Sequence, residues 1–122
     1  MRCTRIETGP DGRSRFADAE VAMEPRDYAP PAPPMGVSAP VAADRLLFAR
    51  FPAGWFGDWH PTPRRQAYVQ LWGEIEVTVG TGEVRRFRAG DVVLVEDTTG
   101  PGHTTRVVGD GDAGCAFVQL PG

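Results

Sequence analysis

The chain has no lysine and no asparagine, and all thirteen of its cationic residues are arginine. A GC-rich coding sequence accounts for that bias. Charge of one sign is also lacking. The formal net charge is −3 with acids and bases interspersed, so there is no footprint for nucleic acid or an anionic membrane surface. Only two cysteines occur, Cys3 and Cys115, near opposite ends of the chain. Without a secretory signal such a pair reads as reduced thiols rather than a disulfide. No apolar h-region opens the chain and no run approaches a membrane span, so the expectation is a soluble cytoplasmic protein without membrane partners. Histidine is equally scarce, with only His60 and His103.

Glycine and proline are plentiful instead, fifteen and twelve in 122 residues. That is too many for a helical bundle, and it suits short strands joined by tight turns. The length fits one domain able to bury its own core. Residues 2–7 predict a short edge strand with Cys3 and Ile6 inward, and Gly9-Pro10-Asp11-Gly12 predicts a turn. The apolar pattern of 14–23 is weak. Residues 24–40 are too rich in proline for a helix and are expected to be extended or irregular. Residues 1–43 are therefore expected to form an arm with one or two weak strands on a barrel of residues 44–122.

From residue 44 onward the alternation is clear. Residues 44–52 predict a strand apolar on both faces and hence covered on both sides. In residues 65–72, Gln66, Tyr68, Gln70 and Trp72 share one face and Ala67, Val69 and Leu71 the other; the pattern leaves open which is inside, because Pro61 and Pro63 bend the connection before it. Residues 74–79 and 83–88 predict a hairpin around Gly80-Thr81-Gly82. Residues 92–95, 103–108 and 115–120 complete about eight strands at the turn spacing of a sandwich or barrel. The fold class expected is all-β, an antiparallel jelly-roll barrel.

Within this frame Gly54, His60, Thr62, Gln66 and Gly73 fall on the spacing G-x5-H-x-H-x3-E-x6-G without a gap. Through that motif the chain resembles a small single-domain cupin. Thr62 stands at the second histidine position and Gln66 at the glutamate. A second motif of the family begins at Gly90 and then departs: Glu96 and Thr98 replace a proline and a glycine, and His103 arrives two residues late.

The resemblance implies a site in the barrel and either no metal or one divalent ion (Fe, Mn, Ni or Zn) held by His60, Gln66 and His103. Asp58 and Glu96 lie near enough in sequence to supply the negative charge that this ligand set lacks. It also implies a homodimer. Without a metal, His60 and His103 remain candidates for general acid and base, since histidine is the side chain whose ordinary titration lies near neutrality. Gln66 is a candidate to orient a carbonyl or enol. Tyr68, Trp72, Phe48 and Phe117 are candidates for an aromatic wall, and Arg64 for a carboxylate receptor, with only one of Arg64 and Arg65 able to face inward. The leading expectation is an acid/base cyclase, isomerase, dehydratase or lyase of secondary metabolism acting on a small molecule. The alternatives are a metal-dependent dioxygenase or metalloisomerase, and a non-catalytic small-ligand binder.

Overall fold

The computed structural model describes all 122 residues and contains strands and no helices. Twelve strands are formed: β1 (Arg2–Thr8), β2 (Ser14–Glu20), β3 (Glu24–Arg26), β4 (Met35–Val37), β5 (Arg45–Phe51), β6 (Phe56–His60), β7 (Gln66–Trp72), β8 (Glu74–Thr78), β9 (Val84–Arg88), β10 (Val92–Val95), β11 (His103–Val108) and β12 (Ala113–Gln119). A six-stranded sheet in the order β2-β1-β10-β7-β12-β5 and a four-stranded sheet in the order β6-β11-β8-β9 together enclose the core, while β3 and β4 form a separate ribbon. No helix is long and apolar enough to cross a membrane.

Period-2 alternation decides what each strand buries. Along β8 and β9, Ile75, Val77 and Phe87 point inward, while Glu74, Glu76, Arg86 and Arg88 exchange ion pairs on the outer surface. Facing them, Ile6 of β1, Val93 and Val95 of β10, and Tyr68 of β7 complete the apolar cluster. Strand β7 presents Gln66, Tyr68 and Gln70 to the interior, with Gln70 fully buried and bonded through its amide to the Trp72 carbonyl. The polar face of this strand is therefore the inside one.

Several expectations are corrected. Residues 2–8 do not form an edge strand. β1 lies between β2 and β10, and its pairing with β10 is parallel, so the sheet is mixed. β5 is not covered on both sides. It is the last strand of its sheet, and Leu46 and Phe48 face outward, 58% and 70% exposed. β6 is a strand that the sequence pattern does not single out, and it forms where Phe56, Gly57 and His60 register against β11. The proline-rich segment is extended, as expected, but its strands pair with each other (Glu24 with Val37, Arg26 with Met35).

The two sheets are tied by one buried hydroxyl. Ser14, 1% exposed, donates from Oγ to the Gly102 carbonyl at 2.7 Å and accepts from the Gly80 amide at 2.8 Å. Its own carbonyl accepts from Thr81. Ser14→Ala leaves a buried donor and a buried acceptor unpaired, and the expected cost is about 1–3 kcal/mol in urea unfolding; an unchanged midpoint refutes the tie.

A second prediction concerns the core thiol. Burial pushes Cys115 up to about 11, only partly offset by its contacts with Tyr68 and the Ala49 backbone. The folded state then keeps its proton while the unfolded thiol ionises near 9. The resulting stabilisation is complete below pH 9 and lost as pH climbs to 11. The urea midpoint should therefore fall across that window, and less steeply in Cys115→Ala. Parallel curves for the two proteins contradict the assignment.

Candidate active site in the barrel cavity

The core cluster does not fill the barrel. Between the sheets is a cavity of about 250 Å³. Its apolar end is made by Ile6, Ile75, Val77, Phe87, Val93 and Val95, and its walls carry Phe51, Trp55, Tyr68 and Phe117. Phe51 and Trp55 lie 4.7 Å apart between ring centres, and Tyr68 and Phe117 meet edge-on at 5.4 Å. The polar groups His60, His103, Thr62, Gln66 and Gln119 also line it, with Leu47 and Pro63.

His60 and His103 are cross-strand partners in the antiparallel pairing of β6 with β11, and their ring centres are 5.1 Å apart. Each ring is oriented by its Nδ1. In His60 this nitrogen lies 2.7 Å from the Asp58 carbonyl oxygen, an acceptor only, so Nδ1 carries the proton and Nε2 has the free lone pair. In His103, Nδ1 donates to Asp97 Oδ2 at 2.6 Å, with the same consequence for its Nε2. Asp97 is fully buried, and its Oδ1 has no partner. The loop that carries it is pinned where the Thr62 amide donates to the Asp97 carbonyl at 3.1 Å. His60 is exposed at the rim, whereas His103 is 7% exposed.

Gln66 is 7% exposed and lines the cavity, and one of its amide hydrogens goes to Thr62 Oγ1 at 3.2 Å. Thr62 Oγ1 in turn donates to the Arg64 carbonyl at 2.8 Å. The Tyr68 phenol is bonded to Gln70 Oε1, and burial, followed by the neighbouring Cys115, drives its pKa far upward. Tyr68 therefore offers the cavity a ring face rather than an exchangeable proton.

The structure thus brings together His60, His103, Gln66, Tyr68 and Phe117, and leaves three candidates outside. Trp72 lies over Gly114 with its indole N–H donating to Asp112 at 3.1 Å, because a register shift between Gly114 and Cys115 interrupts the alternation of β7 at its end. Phe48 faces outward from the edge strand. Arg64 is taken up by Asp44 and the Leu120 carbonyl, the latter at 2.9 Å, and Arg65 pairs with Glu96. Neither arginine lines the cavity. Asp97 is the residue that sequence reasoning missed. In Glu96-Asp97-Thr98-Thr99 a carboxylate reads as part of a solvated turn, and only the tertiary fold buries it against His103.

The same geometry tests the metal that the resemblance implies. No third histidine, cysteine or carboxylate joins the two imidazoles in a cluster able to hold an ion. Asp97 stands behind His103 on its Nδ1, Asp58 caps the Trp59 amide, and Glu96 is paired with Arg5 and Arg65. Two neutral imidazoles, an amide oxygen and a hydroxyl already engaged carry no charge against a divalent cation, so this donor set does not fit a tightly held ion.

No protein-family model matches the chain, and no curated protein matches it in sequence. Solved structures do match. The chain is similar to the cupin domain of Cnp3 from Schizosaccharomyces pombe, with a TM-score of 0.56 at 13% identity over 100% of this chain and 83% of that one. It is also similar to an ethanolamine utilization protein, EutQ, from Salmonella typhimurium, with a TM-score of 0.50 at 19% identity over 99% and 96% of the two chains. At these identities the likeness is one of fold. The twelve strands, the two sheets and the cavity between them make this chain a small domain with the cupin fold.

Proposed function

We propose that the domain is a small-molecule enzyme that moves protons by general acid/base catalysis in the barrel cavity. The observation that carries this reading is the imidazole pair, 5.1 Å apart on the wall of a largely apolar cavity, with each Nδ1 already committed. Such an arrangement leaves two Nε2 atoms for one substrate.

Their surroundings support different roles for the two rings. His103 is the base. When its Nε2 takes a proton from a carbon beside a carbonyl, the imidazolium is stabilised by the Asp97 carboxylate on the opposite nitrogen. The electron pair released passes to the carbonyl oxygen, which the second amide hydrogen of Gln66 can bond. His60 is the acid. Protonated at the rim, it keeps its bond to the Asp58 carbonyl and donates from Nε2 to the substrate atom that ends the step. Exchange with solvent then restores both rings. Cyclisation, isomerisation, dehydration and lyase chemistry share this transfer, so the reading names the step rather than one product. Asp97 acts through His103 and is a positioning residue.

Proton exchange into enolisable ring ketones in D2O, followed by mass spectrometry, tests the proposal without the natural substrate. Exchange should fall by about 10²–10⁴ in His60→Ala and in His103→Ala. In Asp97→Asn, kcat should fall while KM holds, because the substituted side chain no longer balances the imidazolium. A panel that binds without exchanging protons leaves a non-catalytic ligand-binding domain in place of this enzyme.

A further inference from the structure

The cavity also says what kind of molecule it takes, an inference that rests on its being the working site. None of its eighteen lining residues is arginine, lysine, aspartate or glutamate. That absence is not for want of charge nearby, since Arg64, Arg65 and Glu96 stand close behind the wall. Each is consumed by its own partner: Arg64 by Asp44, and Glu96 by Arg5 and Arg65. The single buried carboxylate, Asp97, has one oxygen on His103 and the other unpaired, so the interior potential it contributes is negative. A carboxylate or phosphate drawn into this space would lose its hydration, meet no arginine or lysine, and approach Asp97, while the one ring that the mechanism protonates, His60, stands exposed at the rim rather than in the interior. Desolvating an unpaired ion costs several kcal/mol even after relaxation. An ammonium group would find aromatic faces but no carboxylate on the cavity wall.

Size narrows the class further. A cavity of about 150 Å³ holds benzene, and sites for drug-sized molecules begin near 300 Å³. At about 250 Å³ this one suits one ring with substituents or two fused rings. Phe51, Trp55, Tyr68 and Phe117 supply the flat and edge-on faces for them. We infer that the ligand is a neutral one- or two-ring molecule whose hydroxyl or carbonyl oxygens lie against His60, His103 and Gln66, and that anionic acids and phosphate esters are excluded.

A charge series on one skeleton tests this. The probes are 2-naphthol, 2-naphthoate and 2-naphthylmethylammonium, titrated against the full chain and read by calorimetry and by quenching of Trp55. Naphthol should bind at least tenfold more tightly than either ion, and the fluorescence response should be lost in Trp55→Phe while the heat remains. Leu47 lines the cavity yet is 40% exposed, so Leu47→Arg places a cation at the rim without disturbing the buried cluster. That variant should narrow the gap between naphthol and naphthoate at least several-fold. Naphthoate binding to the unaltered chain as tightly as naphthol, or no binding by any of the three, overturns the inference. Naphthol binding alongside a failure of every ketone to exchange protons overturns the acid/base reading and leaves the ligand class standing.

Discussion

At Gly102 the chain entering β11 passes so close to β6 that a Cβ would lie 1.9 Å from the His60 carbonyl oxygen. Glycine alone allows that approach, and it also adopts φ +78°, where other residues are strained. The histidine pair depends on it. With the backbones this close, His103 registers against His60 and the two rings come side by side on the cavity wall. The same carbonyl at residue 102 receives the Ser14 hydroxyl, so the junction of the two sheets and the placement of the imidazoles are one local arrangement. Any larger side chain at 102 would have to part the sheets or part the histidines.

The second constraint is the polar inner face of β7. Barrel strands ordinarily turn their apolar side chains inward, and this one turns Gln66, Tyr68 and Gln70. Each polar group has found a partner: Gln66 with Thr62, Tyr68 with Gln70, and Gln70 with the Trp72 carbonyl. Satisfied groups of this kind are tolerated inside a core, but they do not fill it as leucine or isoleucine would. The strand thus trades packing for a wall that can face a ligand.

Much of this was legible from the residues. The strands from residue 45 onward other than β6, the hairpin around Thr81 and the all-β class follow from alternation and turn chemistry. The spacing of Gly54, His60, Gln66 and Gly73 pointed to the barrel, and His60 and Gln66 both lie on its cavity wall. At Gly73 the reason is physical: its φ is +72°, and a Cβ there would lie 2.5 Å from the Asp112 carbonyl oxygen. What could not be read depends on which neighbour a strand acquires. β1 becomes an inner strand only because β2 folds back on one side and β10 comes alongside on the other. Phe48 looks like a core residue until its strand proves to be the last in the sheet. Trp72 keeps the parity of Gln66 and Gln70 in sequence but loses it to a register shift in the partner strand. Asp97 has no local signature at all, since its burial is decided by the Thr62 amide and the His103 ring, which reach it from other parts of the chain.

The two imidazoles are not held alike. β11 is hydrogen-bonded along both sides, to β6 and to β8, whereas β6 ends its sheet and is bonded along one side only. His103 is therefore anchored by strands, by a carboxylate and by burial, and His60 by a single ladder and its own turn. Work done in opening a path past the rim falls on the edge strand alone. His103 is thus the more firmly held ring, and local opening at the rim reaches the His60 half of the pair first.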